Sequence, residues 1–191
     1  MYEMHLGDIK MGNIKVGNNE ISVGAILIVV GALAALISLF LSYVNYEYFA
    51  IFEWKTISMS GANVITGTLE LPGNAGEKIA WSFIHFAPLI VVITAIVGAI
   101  MAFVPMFAKI SNMKTYNIIV TVIMAISVIF AIIFVAMGAG AGLFGGEYAD
   151  LAKTALENET IKMSLGAGAF IGLIGAIVGL VGAGISLKES L

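Results

Sequence analysis

The placement of charge constrains this chain more than any other feature of its sequence. Residues 21–46, 79–108, 115–146 and 163–187 contain no Asp, Glu, Lys or Arg, in runs of 26, 30, 32 and 25 residues. A helix rises about 1.5 Å per residue, and roughly 20 apolar residues cross about 30 Å of hydrocarbon, so each run can span a bilayer. All nine lysines and all twelve acidic residues lie in the remaining 78 positions. The pattern predicts an all-α membrane protein: a four-transmembrane-helix bundle with spans at about 22–45, 79–107, 116–138 and 163–187. Residues 1–20 are then a polar arm, and 47–78 and 139–162 are the outer loops. With no Cys in the chain, disulfides, thiolate metal sites and cysteine nucleophiles are excluded.

A cleavable signal would open on a basic segment and an apolar core of about 7–15 residues. Here residues 1–20 carry Glu3, Asp8 and Glu20, and the first apolar run is longer than that core. The first run is therefore expected to be retained as a helix. Orientation follows from lysine, because the chain has no Arg and acidic residues contribute little to the rule. Segments 1–20, 109–114 and 188–191 carry Lys10, Lys15, Lys109, Lys114 and Lys188, five in 30 residues. The opposite segments carry Lys55, Lys78, Lys153 and Lys162, four in 48, together with eight acids. The expectation is a multi-pass protein of the cell membrane with both termini cytoplasmic. Asn158-Glu159-Thr160, the one glycosylation-type triplet, then falls outside.

Along the arm, Ile9-Lys10-Met11 and Ile14-Lys15-Val16 flank Gly12-Asn13, a two-residue hairpin signal. The arm is either a flexible polar leader or a small β element that docks on the bundle or on a partner. In the first span, Gly24, Gly31 and Ser38 recur every seven residues, a seam for close helix packing. Its outer end runs into Tyr43, Tyr46, Tyr48, Phe49, Phe52 and Trp54, which fits an interfacial aromatic belt. Trp54 and, beyond the loop, Trp81 are its outer anchors. Lys55 to Ser60 alternates polar and apolar residues, Gly61-Ala62-Asn63 breaks it, and Val64 to Leu71 is again β-forming before Pro72-Gly73-Asn74. This predicts a β-hairpin in the first outer loop.

Pro88 is expected to kink the second span or to end its regular hydrogen bonding locally, and Pro105 to help end the span. The third span runs into a stretch with five glycines between Gly138 and Gly146, where a break or hinge is expected. Tyr148, Leu151, Ala152, Ala155 and Leu156 follow with helical spacing, a short amphipathic outer helix before the fourth span. The fourth span carries the most specific pattern: Gly168, Gly172, Gly175, Gly179 and Gly182, spaced four and three apart in alternation. This stripe removes every side chain from one helix face and lets another backbone approach. The partner is either the first span of the same chain or a second molecule.

The spans hold no acid, Lys or Arg, which argues against proton relays, voltage sensing and ion-coupled transport. A pore could still be lined by Ser38, Ser42, Thr94, Thr121, Ser127 and backbone carbonyls. His85 is the lone ionisable residue within a span. Haem ligation in a bundle commonly takes a second axial ligand, and the other His, His5, lies on the opposite side; a neutral imidazole bonded to Ser82 or to a carbonyl freed by Pro88 is the simpler reading. Glu47 and Glu53 are six apart, and Glu157 and Glu159 two apart; neither spacing builds a catalytic carboxylate pair. No enzyme activity, no cofactor, no metal and no nucleic-acid partner is expected.

Helix, aromatic β loop with Trp54, three further helices and cytoplasmic termini resemble the claudin-like tetraspan superfamily in topology. The order is also similar to prokaryotic four-span proteins whose first outer loop carries a Trp and then a Ser/Gly-rich strand, here Trp54-Lys55-Thr56-Ile57-Ser58-Met59-Ser60-Gly61. The resemblance spans the whole chain as architecture and eight residues as motif; the Gly-Leu-Trp motif and loop cysteines of claudins are absent. It implies a left-handed four-helix bundle capped by a small outer sheet, and lateral assembly rather than catalysis. The functional expectation is a non-enzymatic scaffold or accessory subunit that assembles with itself or a membrane complex through the glycine stripe. A channel or small-solute transporter is the alternative.

Overall fold

The computed structural model describes residues 14–16, 19–50, 52–67, 81–145 and 147–191. The Gly12-Asn13 turn and Pro72-Gly73-Asn74 lie outside them. The first elements, β1 (Ile14–Val16) and β2 (Asn19–Ile21), pair antiparallel with Val16 opposite Asn19, so the described hairpin spans the second Gly-Asn of the arm rather than the first.

Among the described residues, three helices are long and apolar enough to cross a membrane: α3 (Ala87–Phe107) with the 3-10 turn Phe83–Phe86 before it, α4 (Met113–Met137) and α6 (Ala167–Glu189). The first helix, α1 (Val23–Ser38), has 16 residues, about 24 Å. The expected span of 22–45 is therefore too long. Ser22 caps α1 by accepting from the Ala25 N–H at 3.1 Å. At the other end Leu39, Phe40 and Leu41 turn the chain with N–H bonds back to Leu36, Ile37 and Ser38. The strand β3 (Ser42–Ala50) begins directly afterwards, because the aromatic residues that read as a membrane belt are also strong strand formers.

The observed hairpin corrects the expected one: β3 pairs with β4 (Glu53–Ser60), and Gly61–Thr66 is a short helix, α2, rather than a second strand. The third strand, β5 (Ile161–Leu165), comes from the segment before α6 and lies on the other side of β3. The sheet thus joins two distant stretches and is not confined to the first loop, so the fold is helical with a small antiparallel sheet rather than all-α. Its faces separate cleanly. Val44, Met59 and Leu165 share one face with Tyr46, Ile57 and Met163, while Asn45, Ser58 and Ser164 share the other with Glu47, Thr56 and Lys162.

Pro88 does not kink α3. It sits in the first turn, where its missing N–H has no helical acceptor to lose. The helix expected before the last span is present as α5 (Glu147–Glu157), with Ala152 buried but Leu151 64% exposed.

The four long elements pack in the cyclic order α1, α6, α4, α3, each antiparallel to its neighbours. Ala32, Ala35, Ala95, Ala131 and Ala176 fill the middle layer, which brings the helix axes close. Ile28, Val120, Met124 and Ala183 form the layer toward the chain termini. At the sheet end Tyr43, Val44, Met59, Val64 and Phe134 close the core. All four helices turn large apolar side chains outward, α1 included: Val30, Leu33 and Ile37 are about half exposed.

A Cβ on Gly31 would lie 2.7 Å from the Gly179 N and 2.9 Å from its Cα, whereas one on Gly184 would meet nothing within 4 Å. Gly31→Ala is therefore expected to destabilise by about 1–3 kcal/mol through overpacking against backbone. Gly184→Ala should instead stabilise by up to about 1 kcal/mol through helix propensity. Denaturation of the detergent-solubilised protein followed by circular dichroism checks both; equal effects would refute the packing assignment.

Candidate functional site

The glycine stripe of α6 faces α1 of the same chain. Cβ atoms built on Gly182 and Gly175 would meet the carbonyl oxygens of Gly24 at 2.5 Å and Gly31 at 2.8 Å, and one on Gly24 would meet Gly182 O at 2.6 Å. These are backbone contacts that cannot yield, so only glycine fits both sides of the seam. Gly179 is different: Met124 of α4 threads its thioether between Gly179 and Gly98 of α3, locking three helices with one flexible side chain. Toward the sheet, Gly168 and Gly172 make room for the Tyr43 ring. Ser38, the last member of the heptad series in α1, is fully buried; its Oγ lies 2.7 Å from both the Ala35 carbonyl and the Tyr43 hydroxyl. Burial pushes the Tyr43 phenol above its ordinary range, the Ser38 hydrogen bond opposing this more weakly. Tyr43 also meets Phe134 edge-on at 5.3 Å, tying β3 to α4.

Trp54 and Trp81 part company. Trp54 lies on the exposed side of the sheet, edge-on to Phe49 at 5.6 Å and with the Lys162 ammonium 4.4 Å above its ring. Phe52, at the tip between β3 and β4, is 93% exposed and has a φ of 70°, a left-handed conformation that bulky residues rarely adopt. Trp81 is instead a structural post. Its indole N–H donates to Gly67 O at 3.1 Å, its ring stacks on Phe144, and a Cβ on Gly145 would lie 2.8 Å from its carbonyl oxygen. The Ser82 N–H donates to Leu143 O, and its hydroxyl to Gly142 O. The glycine-rich stretch does break α4 as expected, but it is tied under Trp81 and Ser82 rather than left as a hinge. His85 donates from Nδ1 to the Ser82 carbonyl and lies against Phe86. Asn158 sits in the exposed turn between α5 and β5.

The hydroxyls that would line a pore are occupied by their own surroundings. Ser127 donates to Val91 O at 3.2 Å, Thr94 to Ile90 O at 2.7 Å and Thr121 to Asn117 O at 2.8 Å, while Ser42 bonds Asn45 in the sheet. These bonds satisfy the hydroxyls and link or brace helices; they do not converge on an axis. Glu53 pairs with Lys55 at 3.6 Å and Glu157 with Lys153 at 4.0 Å, both on the surface, where such pairs contribute little. Among the described residues no three His, Asp or Glu side chains come together as a metal site.

At the end where α1 and α4 begin and α3 and α6 finish, the four helices line a cavity of about 310 Å³. Its floor is apolar, with Ile28, Met101 and Val120, and its wall is polar, with Tyr116, Asn117 and Ser186. Sequence reasoning missed this group. The available signal was Asn117, the one carboxamide side chain in the four bundle helices. No protein-family model matches this chain, and no curated protein matches it.

The buried Ser38–Tyr43 pair gives a direct check on how sheet and bundle are joined. Tyr43→Phe is expected to cost about 1 kcal/mol, and Ser38→Ala with Tyr43→Phe together less than the sum of the two, since both single changes remove the same hydrogen bond. Denaturation of the three variants measures the coupling; strict additivity would show that the two hydroxyls do not interact.

Proposed function

We propose that this chain is a non-enzymatic integral membrane scaffold or accessory subunit, a four-span protein of the cell membrane on a claudin-like plan. In this reading both termini are cytoplasmic and the three-stranded sheet stands outside. The four-span reading is supported by α1 itself, which runs antiparallel along α6 from Gly24 to Ser38 and turns Val30, Leu33 and Ile37 outward like its longer neighbours. The lysine asymmetry supports the sides.

The contact surface follows from elimination and then from strain. With α1 seated on the α6 stripe, that stripe has no free face to offer a second molecule. The hairpin tip has one. A tight hairpin turn is least strained with Asn-Gly, yet Phe52 stands at this tip. An aromatic residue held at positive φ, almost wholly exposed and flanked by exposed Phe49 and Trp54, costs stability without an intramolecular return. That combination is the observation carrying the proposal: the tip is kept for a partner, either a further copy or another membrane subunit. The aromatic residues suit such contacts, which are enriched in Trp, Tyr and Phe.

Phe52→Gly separates contact from folding, because Gly accepts the backbone conformation without strain. The variant should be as stable as the parent or better by about 1 kcal/mol, while the complex extracted from native membranes in mild detergent falls to a smaller particle mass. An unchanged mass, or a parent that is itself a monomer without partners, would overturn the reading. Cys at Lys153 should label from outside intact cells, and Cys at Asn112, equally exposed in the fold, should not. Solute flux through liposomes holding the pure protein would favour the channel alternative.

A further inference from the structure

The cavity at the terminal end is more than a splayed bundle mouth, because of what its polar groups have left to offer. Tyr116 spends its hydroxyl hydrogen on Met101 O at 2.6 Å, and Ser190 spends its own on Leu187 O at 2.8 Å. Asn117 donates its amide to Ser186 O at 2.9 Å, a bond that ties α4 to α6. Among the described residues no donor reaches its carbonyl oxygen Oδ1. Asn117 is only 7% exposed, yet no sealed polar side-chain atom lacks a partner among the described residues, so Oδ1 must open into the cavity it lines. Glu189 stands at the same cavity and forms no ion pair among the described residues. Two helix N-termini, of α1 and α4, and two C-termini, of α3 and α6, meet here, so their dipoles largely offset and the side chains set the local polarity. What remains is the Asn117 Oδ1 acceptor, the Glu189 carboxylate, the hydroxyls of Ser22 and Ser186, and an apolar floor.

We propose that this cavity binds a small amphiphile with an N–H donor head, a primary ammonium above all, held by Asn117 Oδ1 and Glu189 with its apolar body against Ile28, Met101 and Val120. A volume of about 310 Å³, at about 30 Å³ for each water-sized group, admits roughly ten non-hydrogen atoms. That lies at the lower end of small-molecule pockets. Oδ1 belongs to a side chain only 7% exposed, so a ligand donor that reaches it makes a hydrogen bond largely shielded from bulk water. An anionic head faces the Glu189 carboxylate and is disfavoured by like charge. The site lies at the opposite end of the bundle from the sheet and does not depend on the sheet having a partner.

The probe is n-hexylammonium, titrated into the full-length protein in detergent with its methionine methyl groups carbon-13 labelled. Met101, Met106 and Met113 line the cavity, whereas Met59 and Met163 report from the sheet. Saturable shifts confined to the first three are expected, weaker binding of n-hexanol, and none of n-hexanoate. Asn117→Leu should raise the dissociation constant for hexylammonium at least tenfold. Glu189→Gln should weaken hexylammonium and leave hexanol unchanged. Shifts that grow linearly and reach Met59 and Met163 equally would mean simple partitioning and overturn the site. So would equal binding of hexanoate by the parent protein, which decides the matter even if Asn117→Leu fails to fold.

Discussion

The structure depends on the contact between the backbones of α1 and α6. In a bilayer, lipid is as apolar as leucine, so burying leucine between helices gains little; close backbone approach and its many short contacts must supply the association. Gly24 and Gly31 on one side and Gly175 and Gly182 on the other remove the side chains that would prevent it. The alanines of the middle layer extend the same logic around the bundle. What the seam sets is not only two helices but everything attached to their ends. α1 leads straight into β3, and β5 leads straight into α6, so aligning the helices also aligns the strands. The Gly166 N–H donates to Tyr43 O at 2.9 Å where one pairing passes into the other. Helix seam and sheet are one continuous antiparallel pair, glycine-packed below and hydrogen-bonded above.

This continuity explains which parts of the fold were legible in the sequence. Charge segregation located the cores of all four apolar helices because hydropathy acts over whole spans. The glycine spacing marked a close contact, but it left open whether the partner was the first helix of the same chain or a second molecule, because a bare helix face fits either. Boundaries failed where two propensities overlap. Tyr43 to Phe49 satisfies an aromatic-belt reading and a strand reading equally, and the strand won because β5 offered a partner over a hundred residues away. Ile161-Lys162-Met163-Ser164-Leu165 alternates perfectly, but it straddles the end of a charged segment and the start of an uncharged run. A charge-based boundary cuts it in two.

The candidate sites were legible to different degrees for the same reason. Trp54 and Trp81 look alike as outer-loop aromatics, yet one is exposed beside Lys162 and the other is pinned by Gly67 and Phe144. Nothing local distinguishes them; the difference lies in glycines far along the chain. Asn117 went unnoticed because a single carboxamide among apolar residues carries no periodicity. Its role appears only when Ser186 of another helix takes the amide hydrogen and leaves the oxygen facing space.

The short first helix follows from the same joint. A helix that stops after about 24 Å leaves its last carbonyls without helical partners, and in or near a bilayer unpartnered carbonyls are costly. Here they are answered in turn. The N–H groups of Leu39, Phe40 and Leu41 take the carbonyls of Leu36, Ile37 and Ser38, and Ser38 Oγ reaches the Ala35 carbonyl. The next carbonyls, of Leu39 and Leu41, accept from Ala62 at 3.0 Å and Gly61 at 3.3 Å, the first N–H groups of α2. A helix C-terminus and a helix N-terminus thus satisfy one another, and their opposed dipoles attract. Gly61 is needed at this joint because a Cβ there would lie 2.8 Å from the Tyr43 ring. With its end so satisfied, α1 can stop short while α6 continues. The missing length is made up by β3, whose pairing with β5 carries the contact onward from the last glycine of the seam.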